Sequence, residues 1–181
     1  GELYKSKIKF FKKFHRNPKK KLNVLEAGYP HNHWLYPELP RYSYYEKLFT
    51  EINIGQFLKK FGANSFYKIH PDRNKSFVKE IIKENYDTIV EENFETLNLN
   101  KFDLVIQTYT LGRTFMYSVL QDIPIIFLDG EINEQYNNEY DKKELNKRCM
   151  MINYTSQRNY LEFNYSELEN YLNKIKNNKV S

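Results

Sequence analysis

The chain has 181 residues, enough for one domain with a full core, and its 40% hydrophobic and 28% charged content is that of an ordinary globular protein. No apolar run approaches the ~20 residues of a membrane-spanning helix, no stretch reads as a secretory signal, and the single cysteine, Cys149, excludes an internal disulfide and any cysteine-built metal site. The net charge of +5 is concentrated in one place: Lys5, Lys7, Lys9, Lys12, Lys13, Arg16, Lys19, Lys20 and Lys21 stand against the single acid Glu2 in residues 1–21, so the rest is close to neutral and lacks the broad basic surface of a nucleic-acid binder.

Residues 1–21 therefore read as a basic arm, and 22–181 as the globular domain. Residues 2–16 can form a helix with Tyr4, Ile8, Phe11 and Phe14 along one face. Such a helix can rest on an anionic membrane surface, or serve as a packing helix with a solvated lysine face. A first strand is expected at 22–27, with Gly28 at the turn. The following loop, 29–40, holds three prolines and two histidines, His31 and His33. Loops after strand carboxyl ends tend to carry function. The two histidines could ligate a metal, but no acidic or cysteine partner stands at ligand spacing. Contact with a sugar or other substrate, or plain aromatic packing, are the remaining readings, and no metal is expected.

Tyr45, Leu48, Phe49, Ile52 and Phe61 keep helical spacing over 42–61, and Gly62 suits the stop. The second strand, 65–69, carries Phe66, Tyr67 and Ile69 and ends at His70. Pro71 suits a first helical position, and Phe77, Val78, Ile81 and Ile82 form the expected inner face of a helix at 74–85. A third strand is expected at 87–91, then a polar segment through Asn100 with room for a short helix, then a fourth strand at 103–107. Residues 108–114 open a helix reaching Gln121, with Leu111, Phe115 and Val119 as its stripe. Strands at 124–128 and 149–153 follow. Ser166 is the expected cap of a last helix with Leu168, Tyr171, Leu172 and Ile175 inside. Helices alternating with near-continuous apolar strands predict a single α/β domain: a Rossmann-like, doubly wound parallel sheet of about six strands, with helices on both faces.

In such sheets ligands sit at the carboxyl edge, and helix amino termini favour anions. His70, at the end of the second strand beside Pro71 and close to Arg73, therefore predicts a phosphate-bearing ligand. The second candidate is the turn at 108–114. Thr108 and Thr110 offer hydroxyls, Gly112 permits close approach and Arg113 adds a charge, although capping alone also explains the threonines. No Gly-Lys-Ser/Thr ends the turn and no Gly-x-Gly-x-x-Gly follows the first strand, so neither a Walker A loop nor a standard dinucleotide site is expected. The two candidates are expected to face one crevice from neighbouring loops.

Lys68-Ile69-His70-Pro71, then Thr108-Tyr109-Thr110, then Ile123-Pro124-Ile125-Ile126 together resemble the carboxyl-terminal, nucleotide-binding half of GT-B-fold transferases that build bacterial surface glycans. These include sialyl- and polysialyltransferases, capsule transferases and CDP-glycerol glycerophosphotransferases. The resemblance spans about residues 22–130. It implies a donor-binding domain in which His70 contacts the phosphate or ribose of a CMP- or CDP-linked sugar and neutralises charge on the leaving nucleotide. Thr108 and Thr110 would bind phosphate, with Arg113 or Arg73 assisting. The nucleotide-sugar would be the substrate, with no further cofactor, and a glycan the acceptor. It further implies an acceptor-binding domain upstream. The lone cysteine fits a reducing compartment, so the expected location is cytoplasmic, and the basic arm allows a peripheral place at the inner face of the membrane. The sialyltransferases also carry an acidic-acidic-Gly motif; here only Glu26-Ala27-Gly28 and Asp129-Gly130 come near it, so the base is expected elsewhere. The alternative reading is a non-catalytic α/β module that binds a nucleotide, a phosphorylated ligand or a protein partner. A third is an adaptor working through the basic arm.

Overall fold

The computed structural model describes residues 21–29, 44–73, 77–108, 113–121, 123–128, 143, 149–152, 154–156 and 161–177. The arm expected at 1–21 falls almost wholly outside them, as do His31, His33, Thr110 and Gly112.

Along the chain come β1 (Asn23–Ala27), α1 (Tyr44–Phe61), β2 (Asn64–Lys68), a 3-10 turn (Pro71–Arg73), α2 (Val78–Asn85), β3 (Thr88–Val90), a second 3-10 turn (Leu99–Lys101) and β4 (Leu104–Gln107). Then follow α3 (Arg113–Leu120), β5 (Ile125–Leu128), β6 (Cys149–Ile152), β7 (Tyr154–Ser156), β8 (Leu161–Phe163) and α4 (Tyr165–Lys176). Six strands form one sheet in the order β3-β2-β1-β4-β5-β6, every neighbouring pair parallel. This is the Rossmann-like, doubly wound α/β fold, and its order reverses between β1 and β4.

The central strands β1, β4 and β5 bury both faces, which is why β5 reads Ile-Ile-Phe-Leu without alternation. Val24, Tyr67, Leu104, Ile106 and Ile126 pack on one face beneath Leu48, Ile54 and Leu58 of α1, Val78 and Ile82 of α2, and Leu168 and Leu172 of α4. Leu25, Ala27, Phe66 and Val105 pack on the other, against Phe94, Leu97, Leu99, Phe102 and Tyr117. Phe115 and Val119 of α3 extend that layer over Ile125 and Phe127.

Several expectations change. Ser166 lies inside α4; the cap is Asn164, whose side chain accepts from the N–H of Glu167 at 3.2 Å. Asn and Ser cap about equally well, so the choice fell to where the preceding strand ends. Phe77, expected inside, is 66% exposed, and α2 buries only Val78 and Ile82. Pro71 opens a 3-10 turn, not an α-helix; α2 begins at Val78, because the chain first turns Arg73 into the interior. The antiparallel pair β7–β8 was not expected, since three-residue strands are too short to show a period. Gly62 ends α1 as expected, with φ 81°.

Candidate functional site

The three central strands share a pattern. Their interiors are apolar, yet Glu26, Lys68 and Gln107, at or next to their carboxyl ends, are polar and buried. The amino edge also carries polar groups, but there the pairing is complete in kind. Asp103 accepts from the N–H of Asn23 at 2.8 Å, Asp87 accepts from the N–H and hydroxyl of Ser65 at 2.7 and 2.9 Å, and the Asn64 amide donates to the Asn23 side chain at 2.8 Å. At the carboxyl edge, by contrast, Glu26 Oε1, Gln107 Oε1 and Thr108 Oγ1 are buried with no hydrogen-bond partner among the described residues. Buried polar atoms are rarely left so; Thr50 Oγ1 and Arg73 Nε share that state, and Gln107 Oε1 and Thr108 Oγ1 are the two that stand together at the end of β4.

Helix α1 connects parallel strands, so it runs back against them and its first turn lies at this edge. Lys47 there is buried, donates to the Thr108 carbonyl at 3.4 Å, and places its ammonium 5.4 Å from the Tyr29 ring centroid. Thr108 is buried immediately beyond β4, and it shares a face with Ile106 by strand alternation.

His70 lies two residues past β2, with its side chain 34% exposed. Its Nδ1 is 2.5 Å from Asp72 Oδ1. An aspartate accepting from Nδ1–H fixes the ring and leaves Nε2 as its one uncommitted polar atom. Pro71 carries the chain over to Asp72, and the N–H of Arg73 closes the turn on the His70 carbonyl at 2.9 Å. Within the adjoining motif, the Lys68 ammonium turns back to the Ile69 carbonyl at 2.6 Å, and burial holds it below the usual lysine range against the pull of Glu91 and Glu92.

Arg73 corrects the expectation that it assists a ligand phosphate. It is fully buried, and its Nη1 meets both oxygens of Glu51 at 2.9 and 2.8 Å, the Tyr29 carbonyl at 2.9 Å and Tyr67 Oη at 2.7 Å. Its charge is spent holding the His70 turn to α1, β2 and the β1 loop. Glu51 Oε1 also accepts from the N–H of Tyr29 at 2.7 Å and from Tyr67 Oη at 2.9 Å. Gly28 leaves room for this, because a Cβ there would overlap Tyr67 Oη and its ring. Glu26, the partial match to an acidic-Gly base, is buried and bonded to Tyr86, so it is placed to hold structure and not to reach an acceptor. Burial first, then the Glu51 charge, pushes the Tyr67 phenol up; burial first, then the Glu26 charge, does the same to Tyr86.

The structure also revises how the candidates meet. β1 pairs with β2 on one side and β4 on the other, so the His70 and Thr108 ends are not neighbours. Two interstrand spacings, roughly 10 Å, separate them, with Gly28 and Tyr29 between. One phosphate group cannot touch both; a nucleoside phosphate can. Arg113 opens α3, and no cluster of potential metal ligands occurs among the described residues.

Sequence reasoning missed Lys47, Glu51, Tyr67 and Tyr86 as members of this region. The signal was present in α1: positions 47, 51, 54 and 58 follow the four-three-four spacing of one buried helical face.

No family model matches the chain, and the comparison with curated proteins gives no match. Among solved structures, a chain described as Thermosulfurimonas dismutans KpsC, beta Kdo 2,7 transferase, is similar at 13% identity and a TM-score of 0.46. The match covers 89% of this chain and 57% of that one, so this chain spans little more than half the length of that neighbour. The strand order defines the fold without it.

Proposed function

We propose that this domain binds the nucleotide portion of an activated sugar, CMP- or CDP-linked, and serves as the donor half of a glycosyltransferase of bacterial surface-glycan synthesis. The observation that supports this reading most is the asymmetry of the sheet: polar groups paired along the amino edge, orphaned ones along the carboxyl edge at the β1/β4 reversal. The resemblance of the 68–71 and 108–110 motifs points the same way. In this reading Thr108 donates to a phosphate oxygen, and His70, oriented by Asp72, contacts the ribose or a second phosphate oxygen through Nε2. During transfer an acceptor hydroxyl attacks the anomeric carbon, and the bond from that carbon to the phosphate oxygen breaks. Negative charge collects on the departing nucleotide, and an imidazolium at His70 would stabilise it. The acceptor and the base would come from outside the described residues, in keeping with an upstream acceptor domain. An arm that rests on the inner membrane face would keep such an enzyme near its lipid-linked acceptors.

The test is thermal denaturation with CMP, CDP and UDP, on wild type and His70→Ala. At least one cytidine nucleotide should raise the wild-type Tm, and the variant should lose most of that shift while keeping its own Tm within a few degrees of the parent. Removing one charge-assisted hydrogen bond should weaken binding by about 1.5–3 kcal/mol, roughly 10- to 150-fold. Equal shifts in both proteins, or none with any of the three nucleotides, would reject the reading.

A further inference from the structure

Beneath the carboxyl edge, the Tyr86 hydroxyl reaches β1 and α1 at once. Its ring packs against Tyr67 at 5.0 Å between centroids. Its oxygen is hydrogen-bonded to Glu26 Oε2 and, at 2.6 Å, to the main-chain carbonyl of Glu51. A phenol carries one proton, and a carbonyl can only accept. The one proton serves one of the two acceptors; given to the Glu51 carbonyl, it leaves the bond to Glu26 needing a proton from the other side. Glu26 Oε1 points to the same protonation state: it is buried with no partner among the described residues. A neutral acid carbonyl tolerates that position far better than half of a carboxylate does.

The surrounding charges agree. Glu26 is faced by Glu51 from α1, Arg73 from the 3-10 turn, Tyr67 from β2 and Tyr86 from the end of α2; its β4 neighbour, Ile106, is apolar. Arg73 is the cation in this group, and it already holds both oxygens of Glu51. We infer that Glu26 is held as a neutral carboxylic acid donating to Tyr86, and that this proton makes the packing of α1 and α2 on the sheet pH-dependent. Losing it would set Glu26 against Glu51 for the one guanidinium that anchors the His70 turn. Burial, and next the Glu51 charge, hold the Glu26 carboxyl well above the usual carboxylate range against the opposing pull of Arg73.

The sign follows from linkage. A glutamate in the unfolded chain releases its proton near pH ~4.3, whereas the folded protein keeps Glu26 protonated to higher pH. Its contribution to stability is fully present below that value and is lost as pH rises through the folded pKa. Glu26→Gln replaces the acid with an amide that donates to Tyr86 at every pH. Urea denaturation of both proteins from about pH 5 to about pH 9 should show the folding equilibrium constant of the variant gaining on wild type by about tenfold per pH unit, until the folded pKa is passed. A ratio that stays constant over that range overturns the inference. Infrared spectra of the wild-type chain at neutral pH provide the second measurement. They should contain the carbonyl stretch of a protonated carboxyl, absent from Glu26→Gln. Lack of that band in wild type overturns the inference even if the variant does not fold. Neither experiment involves nucleotide, so the result stands apart from the functional reading.

Discussion

The Arg73 guanidinium is tolerated in the interior because Glu51, Tyr67 and the Tyr29 carbonyl surround it. Breaking a buried pair leaves the partner charge uncompensated, at a cost of about 3–5 kcal/mol. Arg73→Met should therefore lower stability by that amount in urea denaturation, and lower Tm by roughly 6–20 °C for a chain of this size. Adding Glu51→Gln, which removes the stranded charge but keeps an acceptor for Tyr29 and Tyr67, should recover part of the loss. A single variant within about 0.5 kcal/mol of wild type would refute the pair's structural role. Thr108 predicts the opposite pattern. Its hydroxyl is buried without a partner among the described residues, so Thr108→Val should leave the ligand-free protein unchanged or stabilise it by about 1 kcal/mol, while weakening nucleotide binding. A variant that loses stability and keeps its affinity would show that the hydroxyl serves the fold alone. His70 was legible in the sequence as a strand-end residue. The inward course of Arg73 was not, because Glu51 lies 22 residues away and no local spacing links them.

Helix α1 shows where hydropathy misleads at the level of an element. Tyr45 and Phe49 were expected inside but are 66% and 47% exposed, while Lys47 and Glu51 are buried. Reading charge as outward-facing rotated the helix, since only the tertiary partners of those charges make their burial tolerable. Strands β1, β2, β4 and β5 were legible to within a residue or so at each end, because continuous apolar runs bounded by turns have few other solutions. Gly55 offers a test of how tightly α1 must approach its neighbour. Alanine favours a helix interior over glycine by about 1 kcal/mol. A Cβ at Gly55, however, would lie 2.7 Å from the Asn85 carbonyl oxygen and 2.7 Å from the Tyr86 ring. Overpacking of this kind costs typically 1–3 kcal/mol, and here one obstacle is backbone. Gly55→Ala should thus destabilise the protein in spite of its better helix propensity. A raised denaturation midpoint would show that α1 can shift without disturbing Tyr86.

For the molecule as a whole, alternation of strands and helices made a parallel sheet legible but left its order open. Alternation says that each crossover returns to the same sheet; it does not say on which side the next strand pairs. The structure puts β1 between β2 and β4, which moves the His70 and Thr108 ends apart, so that the single anion site expected from the sequence becomes, under the proposed function, two contacts along one ligand. In the proposed function that ligand is a nucleotide lying across the carboxyl edge. The most direct measurement is a titration of the full chain with CMP, followed by backbone amide chemical shifts. The largest changes should appear at Gly28, His70 and Thr108, with Asn23, Ser65 and Asp103 at the amino edge unmoved. Changes centred on the amino edge, or none at saturating CMP, would contradict it.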